Sequence, residues 1–188
     1  MVGAVLTQNT AWSNVEKAIK NFGGNLTPEN VRDMDMTTLS ETIRPAGFFK
    51  QKAVYIKNVT EWFYKYGYNV PAVRREDLNK LKPELLSVKG IGRETADSIL
   101  LYAFGYKTFV VDAYTLRLCE RFPMDAGTGY EAVKHFFEKN LPVNTEIYNN
   151  FHAMIVINGK EHCRSKPVCA GCPLSGVCVN TGAGGLKG

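Results

Sequence analysis

Four cysteines near the C-terminal end of this 188-residue chain have the spacing of a metal site. They follow the pattern C-x5-C-x2-C-x5-C, at Cys163, Cys169, Cys172 and Cys178. Four thiolates so close in sequence can hold one tetrahedral ion, such as zinc, or one iron–sulfur cubane. The total of five cysteines is odd, which disfavours a disulfide framework and predicts a reducing compartment. The fifth, Cys119, lies on the apolar face of a predicted helix, and we expect it to be structural.

Asp112 is a second candidate for chemistry, because it follows two valines and precedes a predicted helix. An aspartate in that position is commonly the N-cap of the helix. A fixed carboxylate can also act as a general base or stabilise a developing positive charge. From the residue type and position alone, the N-cap is the preferred role.

A glycine turn lies between two predicted helices in the segment before Asp112. The turn is Val88-Lys-Gly-Ile-Gly92, and the second helix begins at Arg93 with apolar residues at a helical period. Glycine lets backbone N–H groups turn outward, and the start of a helix attracts a phosphate oxygen. The same pattern also fits a plain pair of helices with glycine caps. The turn by itself is therefore a weak prediction of phosphate binding.

Composition limits the class of protein. A hydrophobic content of 45% indicates a globular protein, and no apolar run approaches the ~18 residues that a membrane span needs. The first residues lack the basic segment of a signal peptide. A net charge of +5 is a mild bias toward polyanionic partners. Helical periodicity recurs along the chain, which predicts an all-α protein, including one helix from Met1 to Phe22 and another that opens at Lys82-Pro83-Glu84.

Taken together, the hairpin and the aspartate resemble the helix-hairpin-helix, Gly/Pro-rich-loop-and-aspartate superfamily of DNA glycosylases, in its endonuclease III-like branch. Residues 86–96 match the hairpin and residues 110–117 match the aspartate segment, although residues 105–107 lack the proline of the family's loop. The resemblance implies a two-lobed all-α fold with a C-terminal iron–sulfur loop and without the family's N-terminal helix. We expect one lobe at 1–106 and the other at 107–188, with a disordered tail from about 181.

The resemblance also implies roles for single residues. Asp112 would be catalytic, Gln8 would fill the space of the extruded base, and Phe48 would hold the duplex open, unless Phe48 or Phe49 is simply buried. The residues expected to contact DNA are Gln8, Phe48, Lys89, Gly90, Gly92, Arg93, Arg164 and Lys166. The first cysteine gap is one residue shorter than in the family. We still expect a [4Fe–4S] cluster, with zinc as the alternative.

Glu94 departs from the pattern of relatives that also cleave the DNA strand, because these have a nucleophilic lysine at the corresponding position. A carboxylate cannot form a Schiff base, so we expect a monofunctional glycosylase. The run Thr7-Gln-Asn-Thr10, the aromatic Trp12 that follows it and Glu94 most resemble the 3-methyladenine subgroup. The resemblance implies a substrate pocket at Trp12 and Glu94 that suits a cationic base. The alternatives are a uracil or mismatch glycosylase, a bifunctional glycosylase and lyase, a non-catalytic DNA-binding module, and a zinc-stabilised interaction domain.

The expected partner is double-stranded DNA that contains a damaged base. We expect the protein to be a monomer that does not bind membranes. The expected location is the cytoplasm of a prokaryote, in association with the nucleoid.

Overall fold

A computed structural model describes residues 1–179, and this part of the chain is helical with no strand. The predicted disordered tail lies outside the described residues. Within them, no helix is both long and apolar enough to cross a membrane. The helices are α1 (Val2–Leu6), α2 (Trp12–Lys20), α3 (Pro28–Asp33), α4 (Met36–Thr42), α5 (Phe49–Tyr64), α6 (Val70–Arg74), α7 (Leu78–Ser87), α8 (Arg93–Ser98), α9 (Ala113–Arg121), α10 (Tyr130–Asn140) and α11 (Thr145–Glu161).

The chain divides into two compact units, of which the first is Met1–Tyr106. Helix α5 packs against α1, α3 and α4 and carries the stripe Ile56, Val59 and Phe63 into the core of this unit. The apolar residues lie three and four apart, so they share one face of the helix. A single-turn 3-10 helix, Arg44–Ala46, precedes α5.

The N-terminal segment differs from the single helix that its apolar stripe predicts. Helix α1 ends at Leu6, and α2 begins only at Trp12. Asn9, between them, has a positive φ of 50°, which no right-handed helix accommodates. The polar run Thr7-Gln-Asn-Thr10 is therefore a loop between two helices.

Helices α7 and α8 form the predicted hairpin, and α8 continues through a π-helical turn at Ile99–Ala103. Lys82 Nζ lies 3.2 Å from Oδ2 of the buried Asp97, which joins the two helices by a partly buried ion pair. Pro83 does not open a helix as predicted. Asp77 caps α7 six residues before Pro83, and Pro83 lies inside the helix.

The second unit begins at Lys107. Its core forms around Phe109, which stacks on Phe137 with ring centroids 4.6 Å apart and meets Tyr148 edge-on at 5.7 Å. Helix α9 packs against α10 and α11. Gly159 lets α11 approach α9 closely, because a Cβ there would lie 2.4 Å from the ring of Tyr114.

Candidate functional site

The hairpin turn uses its two glycines differently. Gly90 has a φ of +97°, and a Cβ at this position would lie 2.1 Å from the ring of Tyr55. The turn therefore needs glycine for its own backbone and packing. Gly92 has an extended backbone, is exposed, and a Cβ there would meet nothing within 4 Å. The fold does not require glycine at 92, so the open space above it is available to a ligand.

Helix α5 packs against the hairpin turn and supports it. Besides the ring of Tyr55, the Asn58 side chain donates to the carbonyl oxygen of Lys89 at 3.1 Å. Lys89, Arg93 and Glu94 are exposed around the same turn, the last two in the first turn of α8. The outward surface of the hairpin is thus formed by backbone and by charged side chains.

Gln8 lies against the hairpin. Its Nε2 donates to the carbonyl oxygen of Gly90 at 3.0 Å and to Oγ1 of Thr95 at 2.9 Å. Residues 7–10 and the hairpin turn are therefore joined directly, although they are 82 positions apart in the chain. The sequence predicts Gln8 as the residue that enters the duplex, and the structure shows that its amide is also held by the hairpin.

Phe48 is 69% exposed and has a left-handed backbone conformation, with φ 45°. A bulky side chain in that conformation is an outlier that costs roughly 1–3 kcal/mol. The alternative that Phe48 is a core residue is wrong, whereas its neighbour Phe49 is partly buried. An exposed aromatic side chain on a strained backbone is typical of a residue with a role outside the protein's own packing.

Lys52 was not predicted, and it joins the two loops that carry Gln8 and Phe48. It is buried on α5, and its Nζ donates to the carbonyl oxygens of Leu6 at 2.8 Å and Ala46 at 3.0 Å. It also donates to Oγ1 of Thr10, which in turn donates to the Ala46 carbonyl at 2.6 Å. Burial lowers the pKa of Lys52 to about 8.

Trp12, the predicted pocket aromatic, is the first residue of α2 and is 48% exposed. Its indole Nε1 donates to Glu16 Oε1 at 2.8 Å, one turn along the same helix. That bond restrains the ring, and about half of the residue stays exposed. The ring is therefore available for stacking.

Asp112 is the N-cap of α9, as its position before the helix predicts. Its Oδ1 accepts hydrogen bonds from Thr115 N at 2.8 Å and Thr115 Oγ1 at 2.9 Å. The other oxygen, Oδ2, lies 3.4 Å from Nε2 of His152 on α11, and the Asp112 side chain is only 12% exposed. One oxygen therefore anchors the carboxylate, and the other faces a histidine.

The electrostatics of Asp112 favour its ionised form. Burial alone would raise the pKa of this carboxyl. The neighbouring His152 and the hydrogen bonds from Thr115 outweigh burial, so the pKa of Asp112 lies below its ordinary value of 3.8. Asp112 is consequently an anion at neutral pH despite its limited contact with water.

The four clustered cysteines line one small cavity beside the C-terminal end of α9. Arg121 Nη1 lies 3.4 Å from Cys163 Sγ, and the Cys178 thiol donates to the Arg121 carbonyl at 3.2 Å. Across residues 1–179, no group of three or more metal-binding side chains is drawn together around a single ion position. The four thiols nevertheless share a cavity, with a guanidinium next to one of them.

Two basic residues that were predicted to contact DNA, Arg164 and Lys166, are exposed in the first cysteine gap. Arg164 Nε donates to the Lys160 carbonyl at 2.6 Å, and Arg121 Nη1 donates to the Arg164 carbonyl at the same distance. Cys119 is outside the cluster, and burial raises the pKa of its thiol to about 11, which fits the predicted structural role.

Lys52 and His152 were missed for the same reason, although the sequence contains a signal for each. Lys52 is in phase with Ile56 and Val59, and His152 is in phase with Tyr148 and Ile155. A polar residue at an apolar position of a helix must find partners inside the protein. That argument identifies both as buried polar residues, but it does not name the partner.

Known proteins share the sequence and the fold of this chain. The family model described as HhH-GPD superfamily base excision DNA repair protein matches residues 2–143. A Methanocaldococcus jannaschii protein provisionally named a DNA repair glycosylase is 45% identical over 185 residues, which cover 96% of this chain and 84% of that protein.

Two solved structures are similar in fold. One is the H. pylori 3-methyladenine DNA glycosylase bound to 1,N6-ethenoadenine, with a TM-score of 0.76 and 28% identity, covering 85% of this chain and 83% of that chain. The other is a trapped endonuclease III–DNA covalent intermediate, with a TM-score of 0.76 and 26% identity, covering 94% and 80%.

Proposed function

Because the chain belongs to the HhH-GPD superfamily of base excision DNA repair proteins, we propose that this DNA repair glycosylase is monofunctional and acts on alkylated purines such as 3-methyladenine. It would hydrolyse the N-glycosidic bond of a base flipped out of double-stranded DNA and leave an intact abasic site. The observation that carries the proposal is Asp112, a nearly buried carboxylate with one oxygen anchored by Thr115.

Asp112 would act on the sugar. When the C1′–N bond breaks, the electron pair leaves with the base and positive charge develops on the sugar. A fixed carboxylate in a site of low exposure stabilises that charge more strongly than water would. A water molecule then bonds to C1′ and loses a proton, for which the Asp112 carboxylate is the proposed acceptor.

The proposed substrate follows from Trp12 and Glu94. An alkylated purine carries a positive charge, and this charge is attracted by an aromatic face and by a carboxylate. Such a base is also a good leaving group, so the enzyme would need no strong general acid. The similarity to a 3-methyladenine glycosylase supports this choice.

The lack of lyase activity is proposed from Glu94. Position 94 is where the resemblance to strand-cleaving relatives implies a nucleophilic lysine, and a carboxylate cannot form a Schiff base. The nearby Lys89 lies in the exposed hairpin turn, on the side proposed to face phosphate. A bifunctional enzyme is the second candidate, because an endonuclease III trapped as a covalent DNA intermediate is similar in fold.

The test is a panel of duplexes that contain 3-methyladenine, uracil, a mismatched thymine or an undamaged purine. We expect base release from the first, and strand breaks only after alkali. Borohydride added during turnover should trap no protein–DNA adduct. Release of uracil or thymine alone would overturn the substrate, and a strong adduct would overturn the monofunctional proposal. Glu94→Lys should be the variant that gains trapping.

We also propose that Cys163, Cys169, Cys172 and Cys178 bind a [4Fe–4S] cluster. Their shared cavity and the adjacent guanidinium of Arg121 suit a four-thiolate group that carries net negative charge. When bound, the cluster would stabilise the conformation of the loop that carries Arg164 and Lys166. Iron and sulfide analysis of anaerobically purified protein should find about four of each per chain. Zinc without iron would reject the proposal.

A further inference from the structure

His152 stands beside the reactive carboxylate of Asp112, and no part of the proposed reaction uses it. The imidazole is buried on α11, with Nε2 3.4 Å from Asp112 Oδ2. The Asp112 oxygen that it faces is the one that Thr115 does not bind. The histidine is therefore placed to orient Oδ2, the oxygen of Asp112 that remains available for the reaction.

Packing holds the imidazole in place. The ring meets Phe109 edge-on, at a centroid distance of 6.4 Å and an interplanar angle of 89°. Phe109 is itself fixed by its stack on Phe137. Gly159, two turns further along α11, lets Tyr114 of α9 press against the α11 backbone, which fixes the two helices in register. The His152–Asp112 distance is thus set by the core of this unit.

We propose that His152 is a positioning residue for the glycosylase reaction, which donates from Nε2 to Asp112 Oδ2 and aims that oxygen at the sugar. With Thr115 holding Oδ1 and His152 holding Oδ2, rotation of the carboxylate about its Cβ–Cγ bond is stopped from both sides. A reactive group that is fixed before substrate binds needs no reorganisation in the transition state. This inference rests on the proposed function of Asp112.

The test compares three replacements. His152→Gln keeps an N–H donor at about the same reach, His152→Asn carries the same amide on a shorter side chain, and His152→Leu removes the donor while it keeps the volume. Ile155→Val, one turn along the same buried face, controls for a simple loss of stability. Each variant is measured for single-turnover base release, for affinity to a duplex with a non-cleavable abasic analogue, and for Tm.

The donor should matter to the rate and not to binding. We expect His152→Leu and His152→Asn to slow single-turnover base release by about tenfold or more, because hydrogen bonds to charged groups have that size. His152→Gln should stay within about threefold of wild type, and the affinity for the abasic analogue should change by less than about twofold in all three.

Two outcomes would overturn the inference. If His152→Gln is as slow as His152→Asn, packing is responsible and not the donor. If both match wild type, the histidine has no part in the reaction. If His152→Leu does not fold, the comparison of His152→Asn with His152→Gln still decides the test. A wild-type protein that releases no base from any duplex of the panel contradicts the proposed function itself.

Discussion

At the scale of single residues, Asp112 combines an observed structural task with a proposed chemical one. As the N-cap of α9 it satisfies a backbone N–H of the first turn, and as an anion it is the candidate for stabilising the sugar. The two tasks would use different oxygens, because Oδ1 accepts from Thr115 and Oδ2, which faces His152, is the oxygen proposed for the reaction. They can therefore be separated by a change that removes the charge and keeps an oxygen.

Asp112→Asn is that change. Asparagine is as good an N-cap as aspartate, so the free energy of unfolding at neutral pH should change by about 1 kcal/mol or less. Base release should fall by about 10²–10⁴-fold, because the neutral amide neither stabilises the sugar cation nor accepts a proton. Single-turnover assays and DNA affinity measurements check this. Turnover at the wild-type rate would remove Asp112 from the mechanism.

At the scale of elements, the hairpin offers a matched pair of glycines. Gly90→Ala puts a Cβ into the Tyr55 ring at a φ of +97° and should destabilise the protein by about 1–3 kcal/mol. Gly92→Ala enters open space and should change stability by no more than about 0.5 kcal/mol.

The same pair separates folding from DNA binding. Gly92→Ala should weaken binding to all duplex sequences alike, because a methyl group would stand where a DNA phosphate is proposed to approach. Urea denaturation and fluorescence anisotropy on two unrelated duplexes measure the two effects. Unchanged affinity in a fully folded Gly92→Ala protein would place the phosphate elsewhere.

Lys52 gives a prediction in pH. Its pKa in the folded protein, about 8, lies below the ordinary 10.5 of the unfolded chain. Between these values the unfolded state binds more protons, so this group makes the fold more stable as pH rises from 8 to 10.5. The stability of wild type relative to Lys52→Met should therefore increase across that window and stay constant below it. Urea denaturation of both proteins checks this; a flat difference would contradict it.

Helix ends followed from local sequence where a side-chain cap marks them. Asp112 starts α9 where the sequence predicts. The start of α7 is also marked by a local cap, Asp77, although the sequence predicts a start at Lys82-Pro83-Glu84. The other exceptions depend on contacts between distant residues. The break at Asn9 accompanies a loop whose Gln8 bonds the hairpin, and no local rule anticipates a partner 82 positions away. The role of Lys52 was likewise beyond the sequence, because it depends on carbonyl groups from two separate loops.

For the whole molecule, the groups proposed for DNA are distributed over both compact units. The hairpin, Gln8 and Phe48 belong to the first, and Asp112, Arg164 and Lys166 belong to the second. The chain carries a net charge of +5, which is modest for a protein that binds a polyanion. Local cations therefore have to supply a large part of the attraction to phosphate.

A double replacement, Arg164→Gln with Lys166→Gln, tests that contribution. Both side chains are exposed, so stability should change by less than about 0.5 kcal/mol each. The slope of log affinity against log salt should fall by about two, one for each phosphate that is no longer neutralised, and equally for damaged and undamaged duplexes. Anisotropy titrations at several salt concentrations measure the slope. An unchanged slope would show that neither residue touches the DNA backbone.

The buried ammonium of Lys52 also has an evolutionary consequence. One cation serves acceptors in two segments, at Leu6 and Thr10 on either side of Gln8 and at Ala46 just before Phe48. A mutation that removes it leaves those acceptors without their donor, and a mutation that reshapes one loop leaves the cation without an acceptor. The loops that carry Gln8 and Phe48 are therefore expected to be inherited together. An exchange of either loop between homologues should succeed only when the other loop and the lysine are transferred with it.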